Sequence, residues 1–138
     1  MTKRMHVAFA VALLCAPAAW TADTPEQAAT KSAEAFLALV DNGRYDESWD
    51  AAAKLFQGAV TREKWKEALT ATRTPLGKLV SRGLKVAKHT TSLPGAPDGQ
   101  YVVVQFATSF ENKKEAVETV TPMQEKDGSW RVSGYFIR

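Results

Sequence analysis

The chain has 138 residues, of which 45% are apolar and 24% are charged, a balance typical of one folded domain rather than of a disordered segment. Its formal net charge is +3, and lysines and arginines are interspersed with acids along the sequence. This distribution lacks the basic stripe that binding to nucleic acid requires, so we expect no nucleic-acid partner.

The N-terminal residues have the pattern of a secretory signal peptide. Lys3 and Arg4 precede an apolar run over residues 7–14, and small residues and a proline follow. A permanent membrane span needs roughly 20 apolar residues, so this run is too short to be one. The sequence therefore predicts an exported protein without a stable membrane span.

Cleavage is expected between Ala18 and Ala22, so that the signal peptide occupies residues 1–22 and a single domain occupies residues 23–138. Removal of the signal leaves 16 basic and 15 acidic residues, a net charge of +1. We expect the mature protein to be periplasmic or secreted.

The chain has one cysteine, Cys15, which lies inside the predicted signal peptide. The mature domain is therefore expected to have no disulfide and no thiolate metal ligand. A lipid anchor on Cys15 is the alternative. It is disfavoured because Leu14 stands where a small residue normally precedes a lipidated cysteine.

The first predicted helix begins after Thr24, which has the pattern of an N-cap. Pro25 takes the first helical position, and Gln27 completes a capping box. Apolar residues follow at helical spacing. The pair Asn42-Gly43 then supplies a left-handed stop, so that the helix should end just before it.

Two further helices are predicted in the first half of the chain. The second runs from an N-cap at Asp46 to Gln57, and the third follows an N-cap at Thr61. Pro75 disfavours helical geometry in the residue before it. The third helix should therefore end near Arg73.

After the third helix the apolar period changes from about four residues to two, which predicts strands. In the second of them Val102, Val104 and Phe106 share one face, which is typical of a sheet that buries one side. The fold class expected is α+β, with three helices on a curved four-stranded antiparallel sheet. The opposite face is a candidate surface for pairing two subunits. The predicted strands cover about residues 78–92, 100–111, 115–126 and 129–137.

Several motifs carry a family resemblance: Leu39-Val40-Asp41-x-Gly43-x-Tyr45-x-x-Ser48-Trp49, then Trp65, then Arg73-x-Pro75-Leu76-Gly77 with Ser81-Arg82, and Gly134-Tyr135-Phe136. They resemble the exported bacterial family known as domain of unknown function 4019, which has no established activity. The order of helices and strands also resembles the cone-shaped fold, similar to cystatin, of ketosteroid isomerase and nuclear transport factor 2. That cone holds enzymes, ligand binders and assembly modules, so the resemblance implies a fold rather than a function.

Arg82 is the most suggestive residue of the predicted sheet. Strict alternation places it on the same face as Val80, Leu84 and Val86, so that its charge should point inward. Because a buried guanidinium needs a partner, we expect it to meet a carboxylate or the mouth of a cavity. Glu118 and Asp41 are the two candidate partners, and an internal ion pair is the alternative to an anion-binding site.

Arg73 is explained by its position at the end of the third helix, where a cation favourably meets the helix dipole. If it converged with Arg82, the two would form a fork suited to a carboxylate or a phosphate. Tyr45 and Tyr135 are the aromatic residues best suited to line a pocket beside them. Arg73, Arg82, Tyr45, Asp41, Glu118 and Tyr135 are thus the candidate binding residues.

No motif in the sequence dictates a reaction or a cofactor. His89 is the only histidine that survives signal removal, so neither a catalytic triad nor a zinc site is expected. The leading hypothesis is a non-catalytic exported module that binds an unknown small ligand or an envelope protein. The alternative is an acid–base enzyme of the isomerase or dehydratase type, with a carboxylate such as Glu118 or Asp41 and a tyrosine such as Tyr45 in one pocket.

Overall fold

The computed structural model describes residues 15–18 and 20–138, so that the larger part of the predicted signal peptide, residues 1–14 and 19, lies outside the described residues. Among these residues, none of the helices combines the length and the apolar character that a membrane crossing needs. The helices are α1 (Pro25–Asp41), α2 (Tyr45–Asp50), α3 (Lys54–Ala59) and α4 (Arg62–Arg73), followed by a 3₁₀ turn at Thr74–Leu76. The strands are β1 (Leu79–Thr90), β2 (Tyr101–Phe110), β3 (Lys113–Gln124) and β4 (Trp130–Ile137).

The predicted ends of α1 are confirmed. The Thr24 hydroxyl accepts a hydrogen bond from the Gln27 amide at 3.2 Å, and the Gln27 side chain accepts one from the Thr24 amide at 3.0 Å. Gly43, with φ 71°, supplies the left-handed residue that follows the helix. Thr61 likewise caps α4, as predicted.

The prediction of one continuous second helix is wrong, because two short helices, α2 and α3, replace it. The break lies at Ala53, whose extended backbone donates a hydrogen bond to the Val132 carbonyl of β4 at 2.8 Å. The Gln57 amide group donates to the carbonyls of Trp49 and Asp50 at the end of α2. A bond to the sheet edge therefore replaces the continuous helix that periodicity predicts.

The four strands form one antiparallel sheet in chain order, β1-β2-β3-β4, and α1 packs across all four of them. The predicted α+β fold class is confirmed. The inner face, which the helices cover, carries the apolar core. From α1 the core receives Ala29, Ala33, Phe36, Leu37 and Val40, and from β2 it receives Val102, Val104 and Phe106.

The alternation predicted for β1 is only partly correct, because two register irregularities interrupt the strand. One lies between Leu79 and Ser81 and the other between Leu84 and Val86. Val80, the extra residue of the first, is 64% exposed, and Val86 pairs with Gln105 on the outer face. Neither valine therefore faces the core.

Arg82 and Leu84 lie between the two irregularities and keep the predicted orientation. They pair with Thr108 and Phe106 of β2, both of which are buried on the inner face. Leu84 nevertheless remains 54% exposed on this edge strand. Of Arg82 and Leu84, the charged side chain is therefore the more enclosed.

Gly77 ends the 3₁₀ turn and directs the chain into β1. Its φ is 73°, and a Cβ at this position would lie 3.0 Å from Cβ of Glu111. Only glycine combines that conformation with so close an approach. The turn thereby holds the end of α4 beside the start of the sheet.

Candidate functional site

A buried ion network lies where the end of α1 meets the inner face of the sheet, with Arg82 at its centre. Arg82 Nε donates to Glu118 Oε1 at 2.6 Å, while Nη1 and Nη2 donate to the two oxygens of Asp41 at 2.7 and 3.0 Å. Burial opposes a charge here, but these carboxylates outweigh it and hold the pKa of Arg82 above its ordinary value. Both predicted partners are thus present, and all three guanidinium nitrogens are used.

Glu118 is the most enclosed member of the network, with no solvent exposure. Besides the bond from Arg82, its carboxylate accepts hydrogen bonds from Thr108 Oγ1, at 2.7 Å, and from the Tyr135 hydroxyl. Burial and the negative charge of Glu118 raise the pKa of Tyr135, so that this phenol stays protonated and donates. Three hydrogen bonds thus satisfy this buried carboxylate, two on Oε1 and one on Oε2.

Sequence reasoning missed one member of the network, Thr108. The signal was present, because Thr108 alternates with Phe106 and Phe110 and is therefore a polar residue on an apolar face. It also pairs directly with Arg82 across the β1–β2 ladder. A hydroxyl in that position is explained by the carboxylate that it binds.

Arg73 approaches the network from α4 and is only 5% exposed. Its Nη2 donates to Asp41 Oδ1 at 2.9 Å, and its Cζ lies 4.8 Å from the centre of the Phe110 ring. Nε and Nη1 find no hydrogen-bond partner among the described residues. The two arginines therefore converge, a point that the sequence left open, and the carboxylate in their fork is the protein's own Asp41.

Asp41 is the acceptor that joins the two arginines. Burial alone would raise the pKa of its carboxyl, yet the hydrogen bonds and charges of Arg82 and Arg73 outweigh burial and lower it. With Glu118 included, the charges of two carboxylates balance those of two guanidinium groups. The network is neutral as a whole, and hydrogen bonds join its members without a break.

An open cleft of about 700 Å³ lies beside this network, between the end of α1 and the turn that leads into β1. Its wall includes Asp41 and Arg73 of the network, together with Tyr45, Lys78 and Leu79. Five of the six predicted residues thus belong to one hydrogen-bonded network. Tyr45, the sixth, lines the cleft that the network borders.

A second cleft, of about 630 Å³, lies between α1, α2 and β4. Its two acidic side chains already have partners, since Glu47 pairs with Arg44 and Asp50 pairs with Arg62. Its two acidic groups are therefore matched within the chain. The cleft beside Arg73 differs because its wall contains a buried side chain, Arg73, with polar atoms that lack partners among the described residues.

The histidine that the sequence singled out, His89, is hydrogen-bonded to Gln100 and takes no part in the network. Within the part of the chain that the structure describes, no group of three or more histidine, cysteine, aspartate or glutamate side chains is placed to hold a metal ion.

Residues 32–135 match the family described as "Protein of unknown function (DUF4019)". The chain belongs to this family. The matched segment contains the whole ion network and the cleft beside it, and the resemblance expected from the sequence motifs is confirmed. No curated protein matches the chain in sequence.

Among solved structures, the chain is similar to a protein from Shewanella frigidimarina that is provisionally assigned as a ketosteroid isomerase. The two share 18% sequence identity with a TM-score of 0.53, over 83% of this chain and 97% of the other. At that identity the likeness concerns the fold alone. The predicted cone-like fold of the ketosteroid isomerase type is therefore confirmed.

Proposed function

We propose that this protein is an exported, non-catalytic binding module that holds a small ligand in the cleft beside Arg73. The observation that carries the proposal is the coupling of a rigid buried network to an open cleft of about 700 Å³, a volume within the range of small-molecule sites. A wall built from ion pairs is pre-organised, which lowers the cost of binding.

The same geometry disfavours the acid–base enzyme. A general base must have a lone pair that a substrate can reach, and Glu118 is fully buried with three hydrogen bonds to its carboxylate. Asp41 lines the cleft but accepts three hydrogen bonds from two arginines, which lower its pKa. A carboxylate held in that way is a weak base, so binding is the better-supported role.

A fragment screen on the isotope-labelled protein tests the binding role. Amide resonances of Tyr45, Thr74 and Gly77 should shift when a fragment occupies the cleft. Thr74→Trp should block these shifts because Thr74 is exposed and lines the cleft. Thr72→Trp, an exposed position of α4 outside the cleft lining, is the matched control and should bind as wild type does. A screen in which no fragment moves the cleft resonances would refute the proposal.

Export is tested separately by expressing the full chain in a bacterium and measuring the intact mass of the purified protein. Cleavage predicts an N-terminus between residues 19 and 23. A mass that includes acyl chains on Cys15 would instead identify a lipid anchor. An uncleaved chain in the cytoplasm would contradict export.

Subunit pairing through the outer sheet face is a second candidate, alone or beside ligand binding. Val86, Gln105, Thr119 and Phe136 form one row across that face, and Val86 and Phe136 are 44% and 47% exposed. Light scattering over a rising concentration series is the test. A dimer that Phe136→Ser dissociates would support pairing, whereas a monomer throughout the series would exclude it.

A further inference from the structure

Arg73 carries hydrogen-bond donors that the protein leaves without acceptors. Of the five N–H donors of a guanidinium, one lies on Nε and two lie on Nη1. Neither atom has a partner among the described residues, although the side chain is only 5% exposed. Unmade hydrogen bonds of a buried charged group are costly, so an acceptor from outside the chain would be stabilised here.

The contacts that Arg73 does make leave these donors free. Cζ of Arg73 lies over the Phe110 ring, 4.8 Å from its centre, and this contact supplies no hydrogen-bond acceptor to Nε or Nη1. Asp41 takes only Nη2, because its two oxygens are also shared with Arg82. Arg82, which holds the same carboxylate, has an acceptor on each nitrogen. The deficit therefore belongs to Arg73 alone.

The charges around the cleft decide which acceptor fits. Lys78 and Arg73 are balanced on the cleft wall by Asp41 and Glu111, and behind it Arg82 balances Glu118. A site without excess positive charge tolerates a single negative charge more readily than the nearly double charge of a phosphate. Tyr45 and Leu79 add apolar surface to the same wall. An apolar body would be accommodated beside them.

We propose that the cleft takes a small carboxylic acid with an apolar body, whose carboxylate accepts hydrogen bonds from Nε and Nη1 of Arg73. This assignment rests on the proposed function and adds the chemistry of the ligand to it. Because both nitrogens are shielded from solvent, binding requires a local opening beside Arg73 that leaves the ion pairs of the cleft wall in place. The turn at Thr74–Leu76 follows Arg73 directly and lies outside the ion network, so we expect the opening there.

The test compares benzoate with benzamide, which has the same ring and no charge, by titration of the isotope-labelled protein. We expect benzoate to shift the amide resonances of Thr74 and Gly77 and to bind at least about tenfold more tightly than benzamide. Arg73→Lys keeps a positive charge near Asp41 but removes the planar donors, and should weaken benzoate about tenfold. Arg131→Lys, an arginine outside this cleft, is the matched control and should bind benzoate as wild type does.

Each outcome of this experiment decides a different point. Equal binding of benzoate and benzamide in the cleft would overturn the carboxylate assignment and leave the binding role intact. Failure of benzoate, benzamide and every screened fragment to shift the cleft resonances would overturn both. Tighter binding of inorganic phosphate than of benzoate would overturn the choice of a single negative charge. The wild-type comparison decides the assignment even if Arg73→Lys fails to fold.

Discussion

Two arginines hold the same carboxylate, yet they differ in what they leave unused. Arg82, on the inner face of β1, has an acceptor for each of its three nitrogens. Arg73, at the end of α4, has an acceptor for one, and the other two face no partner. Burial is similar for both, so the proposal that Arg73 binds a ligand rests on its unused donors and not on its burial.

The largest expected effect is that of removing the fully satisfied arginine. Arg82→Met would leave Glu118 with no cation and Asp41 with only Arg73, in a largely buried region. Loss of one partner from a buried ion pair typically costs about 3 kcal/mol or more. Urea unfolding at neutral pH should show that loss of stability. The exposed substitution Lys88→Met serves as the control and should change stability by less than about 0.5 kcal/mol.

The contrast between Arg82 and Arg73 would be contradicted if Arg82→Met had the same urea midpoint as the wild type. In that case the network would be an exposed or water-filled cluster rather than a set of buried partners. A reduced transition slope in place of a shifted midpoint would instead indicate a change in the compactness of one of the states.

A smaller effect is expected from Tyr135→Phe, which removes the phenol that donates to Glu118. The carboxylate would keep Arg82 and Thr108, so the loss should resemble that of one hydrogen bond to a charged group, about 2 kcal/mol. Thr108→Val tests the remaining neutral donor in the same way. If Tyr135→Phe were as stable as wild type, the phenol would be a packing group, and the core rather than the network would explain its position.

Replacing Arg73 should cost less stability than replacing Arg82. Arg73→Met removes one ion pair from Asp41, which Arg82 still holds through two hydrogen bonds, and it also removes the unmatched donors from the interior. The two contributions oppose each other, so the loss of stability should be about 1 kcal/mol or less. Urea unfolding of the Arg73→Met and Arg82→Met proteins side by side gives the ranking directly. A larger loss for Arg73→Met would reverse the assignment of the two arginines.

Much of the fold follows from local rules, and the site follows in part. The cap at Thr24 and the turn at Gly43 depend on neighbouring residues and are readable from the sequence. The inward position of Arg82 was also predicted, although the same alternation would have buried Val80 and Val86. The two irregularities of β1 move both valines off that face and leave Arg82 in place, because they fall on either side of it.

What the sequence could not reveal depends on contacts between distant segments. The break between α2 and α3 arises from the bond that Ala53 makes to β4, which no local pattern encodes. The unused donors of Arg73 likewise depend on contacts among α1, α4 and β1, where Asp41 is shared with Arg82. Propensity and alternation describe one element at a time, so they locate charged residues without stating how many partners each will find.

The smallest expected effect is the contribution of Asp41 to the loss of stability at acidic pH. Its folded-state pKa is lowered below the unfolded value of about 3.9, so that between these two values the unfolded chain binds the extra proton. The stabilising contribution of Asp41 is therefore complete above the unfolded pKa and is lost as the pH falls through the folded one. Asp41→Asn cannot titrate, and its stability should fall less steeply than that of wild type below about pH 4. Urea midpoints measured from pH 5 downward compare the two slopes. Parallel slopes would mean that the two arginines do not hold this carboxylate ionised. Asp41 would then not be the shared acceptor on which the comparison of Arg73 with Arg82 depends.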